Sequence, residues 1–345
     1  MAEILKTLIR QTDLVAVTFR RTLTPVEGPQ TPIFPATYPA PERGQHRFDT
    51  PYTINQTKDG TRVADIDSVQ SQANRMESAF SAGPLSELVP QHTVKAGRRE
   101  VRLTDLPHRI ADAAIRATEL GEPIRRAMLA YANGDPVPLA RLAPTSLIYG
   151  AWDSRDTHVK IPRVVRSEIR AFDCSVFTRS AQFSGSFERE DLGLTDTEWK
   201  KGADAGFAPT PSVNAHGGVL VHGEIVHTAS ILLAALRRYA DRDDDLLARY
   251  LLGLALAGLL RAADDYNLRA GCWLVPSGRA LWQTVTANGE RADLSLDAQA
   301  LFAALVGVAD AWANAAGVAI GGAPQSHVYD AKVGKRMVSK NREDA

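Results

Sequence analysis

Cysteine is nearly absent from this chain: among 345 residues only Cys174 and Cys272 occur, and there is no Cys-x-x-Cys pair. One lies in a strand-like run and the other in an apolar one, so reduced structural thiols in a cytosolic protein are the expectation. Net charge is absent too. Forty basic and forty acidic side chains cancel, which excludes a polycation and confines any nucleic-acid role to local clusters. Long hydrophobic runs are missing: Tyr250–Leu260 is too short to span a bilayer and has Arg249 and Arg261 at its ends, so it reads as a buried helix, with no membrane partner. The N-terminal MAEILKTLIRQTD has too short an apolar stretch for a signal peptide. The phosphate-cradling Gly-x-x-x-x-Gly-Lys-Ser/Thr, the dinucleotide fingerprint and the Gly-x-Ser-x-Gly elbow are lacking as well, which argues against the commonest enzyme classes and against a bound cofactor.

What is present is a globular composition, 44% apolar, long enough for a large core. Asp13–Arg21 alternates as a first strand covered on both faces. The prolines from Pro25 to Pro51, among them Pro39 and Pro41, then force an irregular excursion over Thr22–Thr53, an insertion reaching to about residue 62. In Gly60–Phe80, GTRVADIDSVQSQANRMESAF, a short extended entry leads into an amphipathic helix. Ile66, Val69, Ala73, Met76 and Phe80 share one face, and Asp67 with Gln70 is set as a capping box. The other faces carry Gln70, Ser71, Gln72, Asn74, Arg75 and Ser78, side chains suited to hydrogen bonding along a phosphodiester backbone.

Further on, Lys95, Arg98, Arg99 and Arg102 form a basic knot beside the turn Ala96-Gly97, and Leu106–Leu120 reads as a helix. Ser146–Gly150 looks like a strand, Ile169–Phe183 is the best strand of the second half, and Gly185–Asn214 reads as a second large loop, an insertion over 185–215. Thr228–Ala240 and Asp244–Ala263 are helical on either side of the acidic break Asp241–Asp245. Gly271–Pro276 and Ala280–Thr286 close as strands, Leu294–Ala316 is a last helix, and the basic tail over 331–345 is expected to be loose. The order suits one elaborated α+β domain over 1–330, a βαββαβ ferredoxin-like or RNA-recognition palm stretched by insertions and extra helices.

Two sets of residues carry candidate chemistry. In His216–His227, HGGVLVHGEIVH, the residues His222, Glu224 and His227 hold metal-ligand or acid–base side chains. Strand parity separates His227 from the other two, so surface or hairpin histidines and no metal are the expectation. The basic set is better supported: Arg20 and Arg21 end the first strand, Arg75 lies on the helix, and Arg155, Arg163, Arg166 and Arg170 cluster in the middle. Arginine forks match phosphate oxygens and give sequence-independent, salt-sensitive binding. Phe172, Phe177, Phe183 and Phe187 run through the adjoining strand, where parity assigns at least half of them to the core.

Three separated segments resemble the RAMP-type backbone subunits of type I CRISPR Cascade complexes, that of the type I-G (formerly I-U) system above all. Gly60–Glu77, with Val63-x-Asp65 running into SVQSQANRME, is similar to that family's strand-to-helix segment. Ile148–Arg155, IYGAWDSR, and Ser167–Phe187, SEIRAFDCSVFTRSAQFSGSF, resemble its next Gly-containing motif and its central strand pair. The resemblance implies a non-catalytic cytoplasmic subunit with an RNA-recognition-like palm and thumb- and finger-like insertions, which polymerises with copies of itself along crRNA. It implies pairing of the held guide with a target DNA strand, and companions in a large subunit and a crRNA-end-capping subunit. By similarity Gln70, Gln72, Asn74 and Arg75 would contact phosphate or sugar, and Arg163, Arg166 and Gln182 would line the same groove. Related subsystems carry an RNA-cleaving Asp in a loop, for which Asp49 and Asp59 are available, and the type I likeness argues against it. The rival reading is a RAMP-type endoribonuclease that processes precursor crRNA through a His of 216–227.

Overall fold

In a computed structural model, the structure describes residues 2–39, 50–240 and 245–343, with side chains described as far as 339. Pro41, Asp49 and most of the acidic break, residues 241–244, lie outside the described residues. The chain opens with α1 (Ala2–Arg10) and β1 (Leu14–Pro25), followed by β2 (Ile54–Gln56), β3 (Arg62–Asp67) and α2 (Val69–Ser78). The hairpin β4 (His92–Ala96) and β5 (Arg99–Arg102) precedes four short helices, α3 (Ala113–Arg116), α4 (Gly121–Ala132), α5 (Val137–Leu142) and α6 (Pro144–Tyr149). Next come β6 (Ala151–Trp152), β7 (Lys160–Ile161), β8 (Val165–Phe172), β9 (Cys174–Phe183), α7 (Asp196–Gly202), β10 (Thr210–Val221) and β11 (Ile225–Leu232). The last third holds α8 (Leu233–Leu236), α9 (Leu246–Ala262), β12 (Asn267–Arg269), β13 (Cys272–Pro276), β14 (Leu281–Thr286) and β15 (Arg291–Asp293). It ends with α10 (Ala298–Ala316), β16 (Gln325–Val328) and α11 (Ala331–Glu343).

The main sheet is antiparallel, in the order β12-β13-β1-β11-β8-β3-β2, with β14 also on β1 and β15 on β14. Its heart is β1, β8, β11 and the β13–β14 edge, which stand β13/β14-β1-β11-β8 across the sheet. Helices α2 to α6 fill the first crossover and α8 and α9 the second. This is the βαββαβ plan of a ferredoxin-like palm, widened by β3 and β2, and the α+β architecture is as the sequence implies.

The alternation in β8 fixes which face is covered. Val165, Ser167, Ile169 and Ala171 are buried, whereas Arg166 and Phe172 are exposed and Glu168 and Arg170 partly so. The covered face receives α2, which in turn packs on α9. Helix α9 is apolar all round, so it can only be an internal helix, buried from Leu247 to Leu259. Gly258 is required there: a Cβ would sit 2.3 Å from the Tyr149 hydroxyl of α6.

Several elements differ from the sequence expectation. Ser146–Gly150 belongs to the buried helix α6 rather than a strand; Pro144 opens it, and an apolar run this short carries no period to separate the two states. Thr228–Leu232 is strand, not helix, because β11 is paired on both edges, by β1 and β8. Over Leu106–Leu120 the chain makes 3₁₀ turns and the one-turn α3, interrupted where Arg109 takes a positive φ of 54°. Ile169–Phe183 is two strands in two sheets, divided at Asp173 with φ 54°. The first excursion keeps β1 going to Pro25 and touches down again at the Ile33–Val219 and Thr37–Tyr52 bridges. The second contains α7 and the first five residues of β10, which pairs with β9 in a two-stranded ribbon. The basic tail is the helix α11.

Candidate nucleic-acid interface

The strand β3 carries its last residue, Asp67, under the sheet opposite Ile169, so Asp67 is not the cap of α2. Ser68 is: with φ −74° and ψ 162° its hydroxyl accepts the Ser71 N–H. The Asp67 carboxylate, with no exposed surface, accepts from Gln72 Nε2 at 2.7 Å, Ser71 Oγ at 2.8 Å, Arg75 Nε at 2.9 Å and a terminal Arg269 nitrogen at 2.8 Å. Four donors, two of them guanidinium groups, satisfy the hydrogen-bonding capacity of this buried carboxylate. Arg269 also donates to Ile66 O at 2.8 Å, and Arg75 to Leu268 O. Gln72 and Arg75 therefore do not look outward as the sequence reading had them; Gln72 is buried and Arg75 is committed to Asp67.

The network continues inward. Ser167 Oγ donates to Gln72 Oε1 at 2.9 Å and so has only a lone pair left for His227 Nε2, 2.8 Å away. His227 Nε2 must carry the proton, leaving Nδ1 to accept from the Tyr266 hydroxyl at 3.0 Å. Burial pushes the His227 pKa down to about 4, and both nitrogens of the neutral ring are used. His222 instead meets Ser175 Oγ at 3.0 Å, and Glu224 pairs with Arg20 at 2.8 Å. The three residues do not converge, and no group of three His, Cys, Asp or Glu side chains suited to a metal occurs among the described residues.

A second polar cluster forms at the opposite, open side of α2. Gln70 and Asn74, one turn apart and exposed, are joined by a 3.0 Å bond from Gln70 Nε2 to Asn74 Oδ1. Arg163 donates to Gln70 Oε1 and to Tyr149 O, the latter at 3.0 Å. Arg109, absent from the sequence candidates, donates to Asn74 Oδ1 at 3.1 Å and to Gly150 O at 3.3 Å while its guanidinium lies against the buried Glu77. Burial pushes the Glu77 carboxyl up to about 7, against the pull of Arg109. Partial burial, and then the Arg109 charge, lower the pKa of Arg163. The rim thus exposes one guanidinium group, that of Arg163, while Arg109 is buried behind it against Glu77. No sequence signal marks Arg109, because its role depends on a left-handed backbone between two turns.

The uncovered face of the sheet gathers a third set. Arg20 on β1 lies opposite Thr228, which lies opposite Glu168, and Ser230 opposite Arg166. Arg166 and Arg170 each reach Glu168 at 2.9 Å, and Arg170 reaches Asp65 at 3.4 Å. The arginines are the exposed members of these pairs, Glu168 being only 13% exposed. Arg21 has the other parity and turns to the helix side, donating to Ala263 O at 3.2 Å, so the two neighbours are not one site. Arg155 is exposed on the turn after β6, apart from the rim pair. Gln182 is exposed on the ribbon, opposite Pro211, and joins none of these clusters. Phe172, Phe177, Phe183 and Phe187 are 39–60% exposed, so none is core. Asp59 accepts from Thr57 and Thr61 in a turn, and Asp49 lies outside the described residues.

Residues 17–176 match a family described as CRISPR-associated protein GSU0053. The match indicates a CRISPR-associated protein family. It runs from β1 into the start of β9, and so takes in Asp67 with Ser71, Gln72 and Arg75, the Gln70–Asn74–Arg163 rim and the arginines of β8, but not Arg269, His227 or Tyr266. No curated protein matches the chain. Among the described residues no helix is long and apolar enough to cross a membrane.

Proposed function

We propose that this chain is the RAMP-type backbone subunit of a type I-G Cascade complex, binding crRNA along its sugar–phosphate backbone without cleaving it. The observation that carries this reading is the rim. Gln70, Asn74 and Arg163, from two distant segments, stand together on an exposed surface with Arg109 behind them. Amide groups and guanidinium forks in that arrangement suit phosphate and ribose and carry no base code. Arg166, three residues after Arg163, extends the track onto the open sheet. The β9–β10 ribbon is the thumb-like insertion, copies of the chain line up along the guide, and the bound guide pairs with target DNA. A large subunit and an end-capping subunit complete the assembly in the cytoplasm.

The endoribonuclease alternative needs a titrating, accessible histidine in 216–227. His227 is fully buried with both nitrogens bonded, which leaves the exposed His216 and His222 as the candidates of that reading. Purified protein mixed with labelled guide RNA tests both readings. Backbone binding gives salt-sensitive ladders of shifted species and intact RNA, and Arg163→Ala and Arg166→Ala each lower the salt slope by about one. Defined cleavage products lost in His222→Ala would overturn it.

A further inference from the structure

A cavity of about 490 Å³ opens between the α4–α5 turn, the segment around β7 and the turn after α8. Tyr131, Tyr239, His158, Lys160 and Arg238 line it together with the apolar side chains of residues such as Val164. No carboxylate is among its lining residues, and neither Lys160 nor Arg238 has an acidic partner among the described residues. Lys160 instead places its ammonium 5.1 Å from the ring centre of Trp152, itself 59% exposed. The Tyr131 and Tyr239 hydroxyls are 3.5 Å apart and their rings 6.5 Å, and burial raises the Tyr239 pKa, so its hydroxyl stays a neutral donor. His158 reaches the cavity from a left-handed backbone, φ 55°, at the tip of a turn that Asp153 ties down through Thr157 N at 2.9 Å and Thr157 Oγ1 at 2.8 Å.

We propose that this cavity binds a nucleotide unit, with its phosphate at Lys160 and Arg238 and its base against the two tyrosines. Two cations without an acidic partner among the described residues, beside a tyrosine pair with one hydroxyl proton to spare, select an anion with further acceptor oxygens. The aromatic and apolar walls select a flat ring in addition, and the volume lies in the range of small-ligand pockets. A free mononucleotide and a nucleotide of a bound strand present the same chemistry. The inference does not rest on the RNA-backbone reading, because the rim uses other side chains.

Titration of the full chain with adenosine 5′-monophosphate, followed by equilibrium dialysis and by tryptophan fluorescence with Trp152→Phe as the reporter control, tests it. Saturable binding is expected, with adenosine and inorganic phosphate each at least about tenfold weaker, since each keeps only half of the contacts. Arg238→Gln and Lys160→Gln lower the affinity about tenfold and Tyr239→Phe about threefold, in variants whose circular dichroism matches wild type. Displacement of the mononucleotide by a single-stranded RNA assigns the site to a strand nucleotide; undiminished binding beside the RNA assigns it to the free one. Absence of saturable binding at millimolar ligand, unchanged affinity in both cation variants, or phosphate binding as tightly as the mononucleotide overturns the proposal.

Discussion

The two sides of helix α2 carry nearly the same side-chain types and serve opposite ends. Toward the sheet, Gln72 and Arg75 converge on the fully buried Asp67 carboxylate, where every donor has an acceptor. Toward solvent, Gln70 and Asn74 meet Arg163, which has no carboxylate partner among the described residues, while Arg109, claimed by the buried Glu77, braces Asn74 from behind. An amide or guanidinium is structural or available according to whether a buried acid has claimed it. Sequence spacing places it on a face, and the acid's location decides the rest.

Breaking the buried side should give the largest effects. Asp67→Ala strands Arg75, Arg269 and Gln72 around an empty buried position and should cost about 3–5 kcal/mol in urea unfolding. The pH dependence at His227 comes next. Its pKa falls from 6.5 to about 4 on folding, so the unfolded chain binds the extra proton between those values. Its contribution is full above pH 6.5 and is lost as pH falls toward 4, an effect on the order of 3 kcal/mol. The difference between wild type and His227→Gln isolates it. Glu77, raised to about 7, slopes the other way: its neutral form is favoured in the fold, so stability declines as pH rises from 4.5 to 7.

Arg75→Ala should cost about 1–2 kcal/mol of stability and leave RNA affinity of the folded protein unchanged, which would complete the separation of the two sides. Arg163→Ala should do the reverse: about a tenfold loss of RNA affinity in a filter-binding assay, with unfolding midpoints within experimental scatter. Equal losses of stability in both would collapse the distinction. The smallest effect is expected at Gln182→Ala, within about 0.5 kcal/mol of wild type in stability, because this exposed side chain meets none of the clusters.

The palm was legible because its strongest signals are local. The alternation of β1, the strand-to-helix passage at 62–78 and the all-round apolar α9 each announce themselves within a dozen residues. Thr228–Leu232 was misread because it sits beside genuine helix, and only pairing to β1 and β8 on both edges makes it strand. For the interface, sequence named Gln70, Asn74 and Arg163 among its candidates, and these three stand together on the open side of α2, but spacing could not separate them from Gln72 and Arg75. That separation depends on Asp67, which looked like a cap and became an acceptor when β3 paired with β8. Arg109 was illegible for the same reason, its partners lying 32 to 41 residues away in sequence.

Asp173 does more than divide two strands. At that residue the chain leaves the palm, and Gly223 brings it back. Gly223 N–H donates to Phe172 O at 3.2 Å in a gap where a Cβ would come within 2.8 Å of the same oxygen. The ribbon is tied to the first excursion by the Ile33–Val219 bridge near this neck and, six residues out from Asp173, by Arg179 over the Phe34 ring; beyond that the residues of both strands are exposed. Mechanically it is a cantilever. The four residues of β9 beyond Arg179 span about 13 Å, so a rotation of about 10° at that point sweeps the tip through about 2 Å. The root's few bonds, rather than the ribbon's own ladder, set how far the tip reaches toward whatever lies beside the palm.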